Sequence, residues 1–175
     1  MTATHSPAVA LLLEEAERSE RAGLREMARR RYETALYLLR PGDGATASMV
    51  VRRIARTYLD EGHFDAALDS VAAAVAIAEA LDTPGERAHA LNLLAAANVT
   101  RGDLDAAEPC YEAALAYARA AADELLEAMI SQNLGILTSM RGDLSAALDY
   151  YSSSLATFRA KGLPQHLPPV LNNMG

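Results

Sequence analysis

Gly23, Gly62, Gly102 and Gly142 stand 39, 40 and 40 residues apart, and the same residue classes recur around each of them. Five positions on comes an alanine: Ala28, Ala67, Ala107 and Ala147. Nine positions on come Tyr32, Val71, Tyr111 and Tyr151. At twelve and thirteen there is a small-plus-aliphatic pair: Ala35-Leu36, Ala74-Val75, Ala114-Leu115 and Ser154-Leu155. A fixed period of this length, with classes held at fixed offsets, is the signature of a repeat architecture. Each unit of such a chain contacts only its neighbours, and the stack presents extended surfaces.

Between the glycines the apolar spacing is helical. Val50, Val51, Ile54, Ala55 and Tyr58 form one stripe before Gly62, and Phe64, Ala67, Leu68, Val71, Ala74, Val75 and Ala78 form a second after it. Each glycine therefore marks the turn of a helical hairpin, because it adopts a left-handed backbone without a Cβ clash. Asp103 and Asp143 follow their glycines directly, where a carboxylate accepts the free N–H groups of the next helix. Helix pairs are expected over 8–38, 46–81, 86–121 and 124–160. Pro41-Gly42-Asp43-Gly44, Thr83-Pro84-Gly85 and Gly162-Leu163-Pro164 break the chain between units. The break near Asp123 has no Gly or Pro, and only the period places it. Pro109 falls inside a helix and predicts a local irregularity. Alanine supplies much of the apolar content, which suits closely approaching helices. The fold class is all-α.

The net charge of −7 argues against general affinity for nucleic acid or an anionic membrane. The single cysteine, Cys110, leaves no internal disulfide framework and fits a reducing, cytoplasmic compartment. Val9-Ala10-Leu11-Leu12-Leu13 is too short to span a membrane, and it lacks the flanks of a secretory signal. His5, His63, His89 and His166 are scattered without metal-ligand spacing. Gly42-Asp43-Gly44 lacks the following Lys-Ser/Thr and the preceding strand of a phosphate loop. No Ser or Cys has a nucleophile context. Neither a cofactor nor an enzymatic activity is expected. The run Arg29-Arg30-Arg31 reads as a solvated helix face.

Gly, then Ala, an aromatic and Ala-Leu in the second helix, with Ala16, Ala55, Ala95 and Gly135 seven positions before the glycines, resembles the tetratricopeptide repeat. Ala107-Glu108-Pro109-Cys110-Tyr111 and Leu171-Asn172-Asn173-Met174-Gly175 resemble its longer-helix variety, found in kinesin light chains and bacterial regulators. The resemblance implies a right-handed α-α superhelix, a solenoid of about four helix-turn-helix repeats plus the start of a fifth. The repeats would form one domain over 1–175, at about 8–40, 46–83, 86–122 and 124–162, with a partial unit at 167–175. Unit one carries Glu15 and Arg25 where apolar residues are usual, which reads as a solvated cap. Gly175 lies 40 residues after Gly135, so a fifth unit begins and the chain reads as a fragment of a longer protein.

In that family the first helices line a groove that holds a peptide or a partner's helix, and the resemblance carries those positions onto this chain. They are Glu14, Glu17 and Glu20 in unit one, and Met49, Arg52, Arg53 and Arg56 in unit two. Unit three offers His89, Asn92, Leu93 and Ala96, and unit four Met129, Gln132, Asn133 and Ile136, followed by Asn172 and Asn173. Side-chain amides donate and accept at once, which suits the unpaired backbone of an extended peptide. The arginines either take an acidic segment or pair with Glu14, Glu17 and Glu20. A chaperone-type carboxylate clamp is absent, because the one lysine, Lys161, lies outside the groove. The expectation is a protein-interaction module for a protein or peptide partner, with self-association through the exposed C-terminal half-repeat as a further contact. The alternative is a regulatory or sensory segment controlling an effector domain in cis within a larger bacterial-type signalling protein.

Overall fold

The computed structural model describes residues 6–174. His5 and Gly175, and with Gly175 the last position of the fifth-unit register, lie outside the described residues. Among the described residues there are nine α-helices, one 3-10 turn and no strand. The helices are α1 (Pro7–Arg21), α2 (Arg25–Tyr37), α3 (Gly44–Asp60), α4 (Phe64–Leu81), α5 (Pro84–Arg101), α6 (Leu104–Ala120), α7 (Glu124–Met140), α8 (Leu144–Ala160) and α9 (Leu167–Met174). The four expected pairs fall on α1–α2, α3–α4, α5–α6 and α7–α8.

The turns form as the sequence requires. At Gly142 the backbone is left-handed, with φ +86°, and the Asp143 N–H donates to the Thr138 carbonyl at 3.0 Å. The Asp103 and Asp143 carboxylates accept from the N–H groups of Ala106 and Ala146 at 3.1 and 3.0 Å, capping α6 and α8. The hidden break uses the same geometry without glycine. Ala122 takes φ +52°, the Asp123 N–H donates to Ala118 at 3.0 Å, and the Asp123 carboxylate accepts from Leu126 at 3.0 Å. The left-handed alanine costs about 1–2 kcal/mol. The aspartate cap, worth about 1 kcal/mol, offsets much of that.

The chain divides into two compact units, Met1–Asp82 and Thr83–Gly175. In the first, α1 pairs with α2, α3 with α4, and α2 packs on α3. Its core joins Ala16, Ala28, Tyr32, Val50 and Ile54, all nearly inaccessible. In the second, α5 pairs with α6, α7 with α8, and α6 packs on α7, while α5 and α7 touch side by side. One cluster gathers Ala95, Ala107, Tyr111, Leu115, Leu126, Ile130 and Leu134. Another gathers Ala128, Tyr151, Leu155 and Phe158 with Val170 of α9. Ala67, Ala107 and Ala147 are buried to 0%, 0% and 2% relative exposure, which places the small residue of each second helix inside the contact.

One expectation is corrected, and another is located. Pro109 lies inside α6, which runs from Leu104 to Ala120. The N–H that proline lacks would have bonded the Asp105 carbonyl, and Asp105 is exposed in the first turn of the helix. The run Arg29-Arg30-Arg31 is not a solvated face. Arg29 pairs with Glu61 and lies over the Tyr58 ring at 4.3 Å. Arg31 donates to Glu15 at 3.0 Å and to the Ser19 hydroxyl at 3.3 Å. Arg30 alone stays largely exposed, beside Glu26 on its own helix. The sequence shows three like charges, whereas their acidic partners sit on α1, on α2 and in the turn after α3.

Replacing Ala107 by Leu should cost roughly 1–3 kcal/mol, because extra methylenes enter a packed helix–helix contact. The same change at exposed Ala120 should stay within about 0.5 kcal/mol. Urea denaturation of the two variants checks this, and equal losses would contradict the core assignment.

Candidate functional site

The expected groove residues fall on two surfaces, one in each unit. On α3 the three arginines have different surroundings. Arg52 is half-buried and donates to the Ser48 hydroxyl at 2.9 Å, one turn back. Arg53 reaches Glu20 of α1 at 3.1 Å. Arg56 is exposed, with no ion-pair partner among the described residues. Glu20 also accepts from the Tyr32 hydroxyl at 3.0 Å. Burial first, and the Glu20 charge second, raise the Tyr32 pKa, so the phenol keeps its proton and stays a donor. Glu17 pairs within its own helix, with Arg21 at 3.8 Å, and Glu14 is exposed.

Of these three glutamates, Glu20 is the one that pairs with an α3 arginine. Sequence reasoning missed the other groups that hold this surface. Ser48 and Tyr32 are apolar-stripe neighbours in the pattern, and nothing in their spacing announces a bond to Arg52 or to Glu20. Arg29 is likewise a structural cation. Burial works against its charge, but the hydrogen bond and attraction of Glu61 outweigh that and hold its pKa above the ordinary guanidinium value.

In the second unit the polar positions converge on the α5 and α7 faces. The Asn133 amide donates to the Asn92 carbonyl oxygen at 2.9 Å, bridging the two helices. The sequence analysis placed both in the groove, and the structure brings them together. Asn92 is nearly buried, Asn133 and Gln132 are half-buried, and Met129 is exposed. His89 is half-buried one turn before Asn92 on α5. Asn172 and Asn173 are both exposed on α9. This bond uses one of the two Asn133 amide N–H groups and leaves the Asn133 carbonyl oxygen and the Asn92 amide N–H groups outside it, since each carboxamide has more hydrogen-bonding capacity than one bond uses.

Other chemistry finds little support. No grouping of three or more His, Cys, Asp or Glu among the described residues could hold a metal ion. Cys110 is half-buried, and burial pushes its thiol pKa up, away from the reactive thiolate. No helix among the described residues is long and apolar enough to cross a membrane.

Paired antiparallel helices joined by left-handed turns at a constant register define a helical-hairpin repeat protein. Residues 86–160 match the tetratricopeptide repeat family. These residues, α5 to α8, are thus tetratricopeptide repeats, and α1 to α4 share the same hairpin form. No curated protein matches its sequence. Among solved structures it is similar to BtubC (BKLC) from P. vanneervenii, with TM-score 0.77 and 23% identity over 95% of this chain and 71% of that one. It is also similar to aspartyl phosphate phosphatase F from Bacillus subtilis, with TM-score 0.81 and 14% identity over 94% of this chain and 44% of that one. A third is a signal transduction ATPase with numerous domains and a tetratricopeptide repeat sensor, from Pyrococcus horikoshii. Its TM-score is 0.77 and its identity 15%, over 93% of this chain and 25% of that one. The chain thus spans less than half the length of the second and third. At these identities the likeness shows the fold.

Asn133→Ala should lower stability by roughly 1–2 kcal/mol, because it strips the donor from the nearly buried Asn92 carbonyl. Replacing both residues by Leu should cost less than the single change, since no polar group is then stranded. Chemical denaturation of the single and double variants reads the difference.

Proposed function

We propose that this chain is a non-catalytic protein-interaction module. Its principal surface is the α5–α7 face, which receives an extended peptide or a partner's helix. The observation that carries the reading is the Asn92–Asn133 bridge with Gln132 and Met129 beside it. The bridge fixes two carboxamides on adjoining first helices, so little side-chain entropy is lost when they bond to a ligand backbone. Met129 adds an adaptable apolar contact, and His89 extends the polar row along α5. Asn172 and Asn173 bring further amides on α9. The partner this chemistry suits is a largely uncharged segment with exposed backbone groups.

An acidic segment draws less support. Arg53 is engaged by Glu20 and Arg52 by Ser48, while Arg56 is exposed and outside any ion pair among the described residues. An acidic partner would have to compete with Glu20 for Arg53. The resemblance to a sensor-bearing signalling ATPase favours, as a second reading, a regulatory segment acting on an effector domain in cis through the same surface. A cytoplasmic setting accords with a single unreactive thiol.

Affinity capture with the protein, followed by identification of what is retained, supplies the partner for testing. Gln132→Ala and Met129→Glu should each weaken its binding at least tenfold without altering the far-ultraviolet circular dichroism. The affinity should change less than about threefold between 50 and 300 mM salt, because few charges take part. Binding that survives both substitutions, or that collapses with salt and with Arg56→Glu, would transfer the site to the α3 arginines.

A further inference from the structure

The two compact units each join two hairpins, and in both the junction carries an ion pair at the same register. In the first, Glu61, one residue before Gly62, pairs with Arg29, six residues after Gly23. In the second, Arg141, one residue before Gly142, donates to Glu108, six residues after Gly102, at 2.9 Å. Arg141 also bonds the Asp105 carboxylate at 2.6 Å and the Leu104 carbonyl at 3.0 Å. The positions agree and the polarity is opposite. The second helix of the leading hairpin offers a cation in the first unit and carboxylates in the second.

We propose that these two junctions form a charge code that tells each hairpin which neighbour to stack on, and that rejects exchange between the units of one chain or of two copies. If α2 stacked against the α7–α8 hairpin, Arg29 would meet Arg141. If α6 stacked against α3–α4, Glu108 and Asp105 would meet Glu61. The apolar part of the contact cannot make this distinction, because the repeat places the same residue classes in every hairpin. Ala28 and Ala107, Tyr32 and Tyr111, and Ile54 and Leu134 occupy equivalent cores. Like charges at a packed junction reject the wrong neighbour where shape does not. The groups are placed to do so. Arg29 and Glu61 are only 13% and 24% exposed at their side chains, and Arg141 is 32% exposed with three acceptors around it. The first pair is therefore less screened than a free surface pair, while Glu108 and Asp105 of the second are 39% and 97% exposed. The code does not depend on what the α5–α7 face binds.

Exchanging the charges of the first junction tests this in the full chain. Arg29→Glu and Glu61→Arg alone should each lower the melting temperature by about 2–8 °C. The double variant should regain more than half of that loss, since the pair is restored in reverse. It also gives both junctions the same polarity, so each hairpin now fits two neighbours. After refolding from denaturant at high protein concentration, it should yield several-fold more hairpin-exchanged dimer than the wild type, read by size exclusion with light scattering. The singly reversed chains establish the pairing, and the dimer yield establishes the selection. A double variant that fails to recover, or that recovers and refolds with no more dimer than the wild type, overturns the proposal.

Discussion

The distance between the two helices of each hairpin governs the rest of the structure. It is set where a small residue on the first helix meets a larger one on the second. Gly135 and Tyr151 show the limit: a Cβ on Gly135 would lie 2.5 Å from the Tyr151 ring. Ala16 with Tyr32 and Ala95 with Tyr111 share clusters at the same offset, and Ala55 and Val71 are both fully buried there. The larger residue fills the space that the small one leaves, so backbones approach closely without a cavity. The turn geometry then follows, because helices this close are joined by two or three residues and need a left-handed position.

That interaction explains which parts of the fold were legible in the sequence. Small residues, turn glycines and capping aspartates answer to local rules, and they recur with the period, so each hairpin confirms the others. Helix pairs and their turns could be read directly. The break at Ala122 was visible only through the period, because alanine there does what glycine does elsewhere. The charges were least legible. Arg29 and Glu61 lie 32 residues apart, and Asn92 and Asn133 lie 41 apart, and residue type alone does not say which of many partners a side chain reaches.

The site follows the same division. The resemblance placed the amides and arginines on first helices, and the structure distributes them between a surface already satisfied within the protein and one with capacity to spare. On α3, Glu20 and Ser48 occupy two of three guanidinium groups. On α5 and α7 the carboxamides hold each other through one bond, which leaves donors and acceptors outside it. Rigid hairpins make this useful: the backbone spacing fixed by Gly135 and Ala95 also fixes where Asn133 and Asn92 stand. In the proposed binding role, specificity for a partner would come from these few side chains.

The closest test of this account is a double-mutant cycle at Gly135 and Tyr151, measured by chemical denaturation. Gly135→Ala alone should destabilise, because a clash costing roughly 1–3 kcal/mol exceeds the gain of about 1 kcal/mol in helix propensity. In a Tyr151→Val background, which reproduces the Ala55–Val71 pairing, the same Gly135→Ala change should stabilise, since the ring is gone and the propensity gain remains. A reversal of sign is the predicted result. The same effect of Gly135→Ala in both backgrounds would contradict the claim that this contact sets the helix spacing.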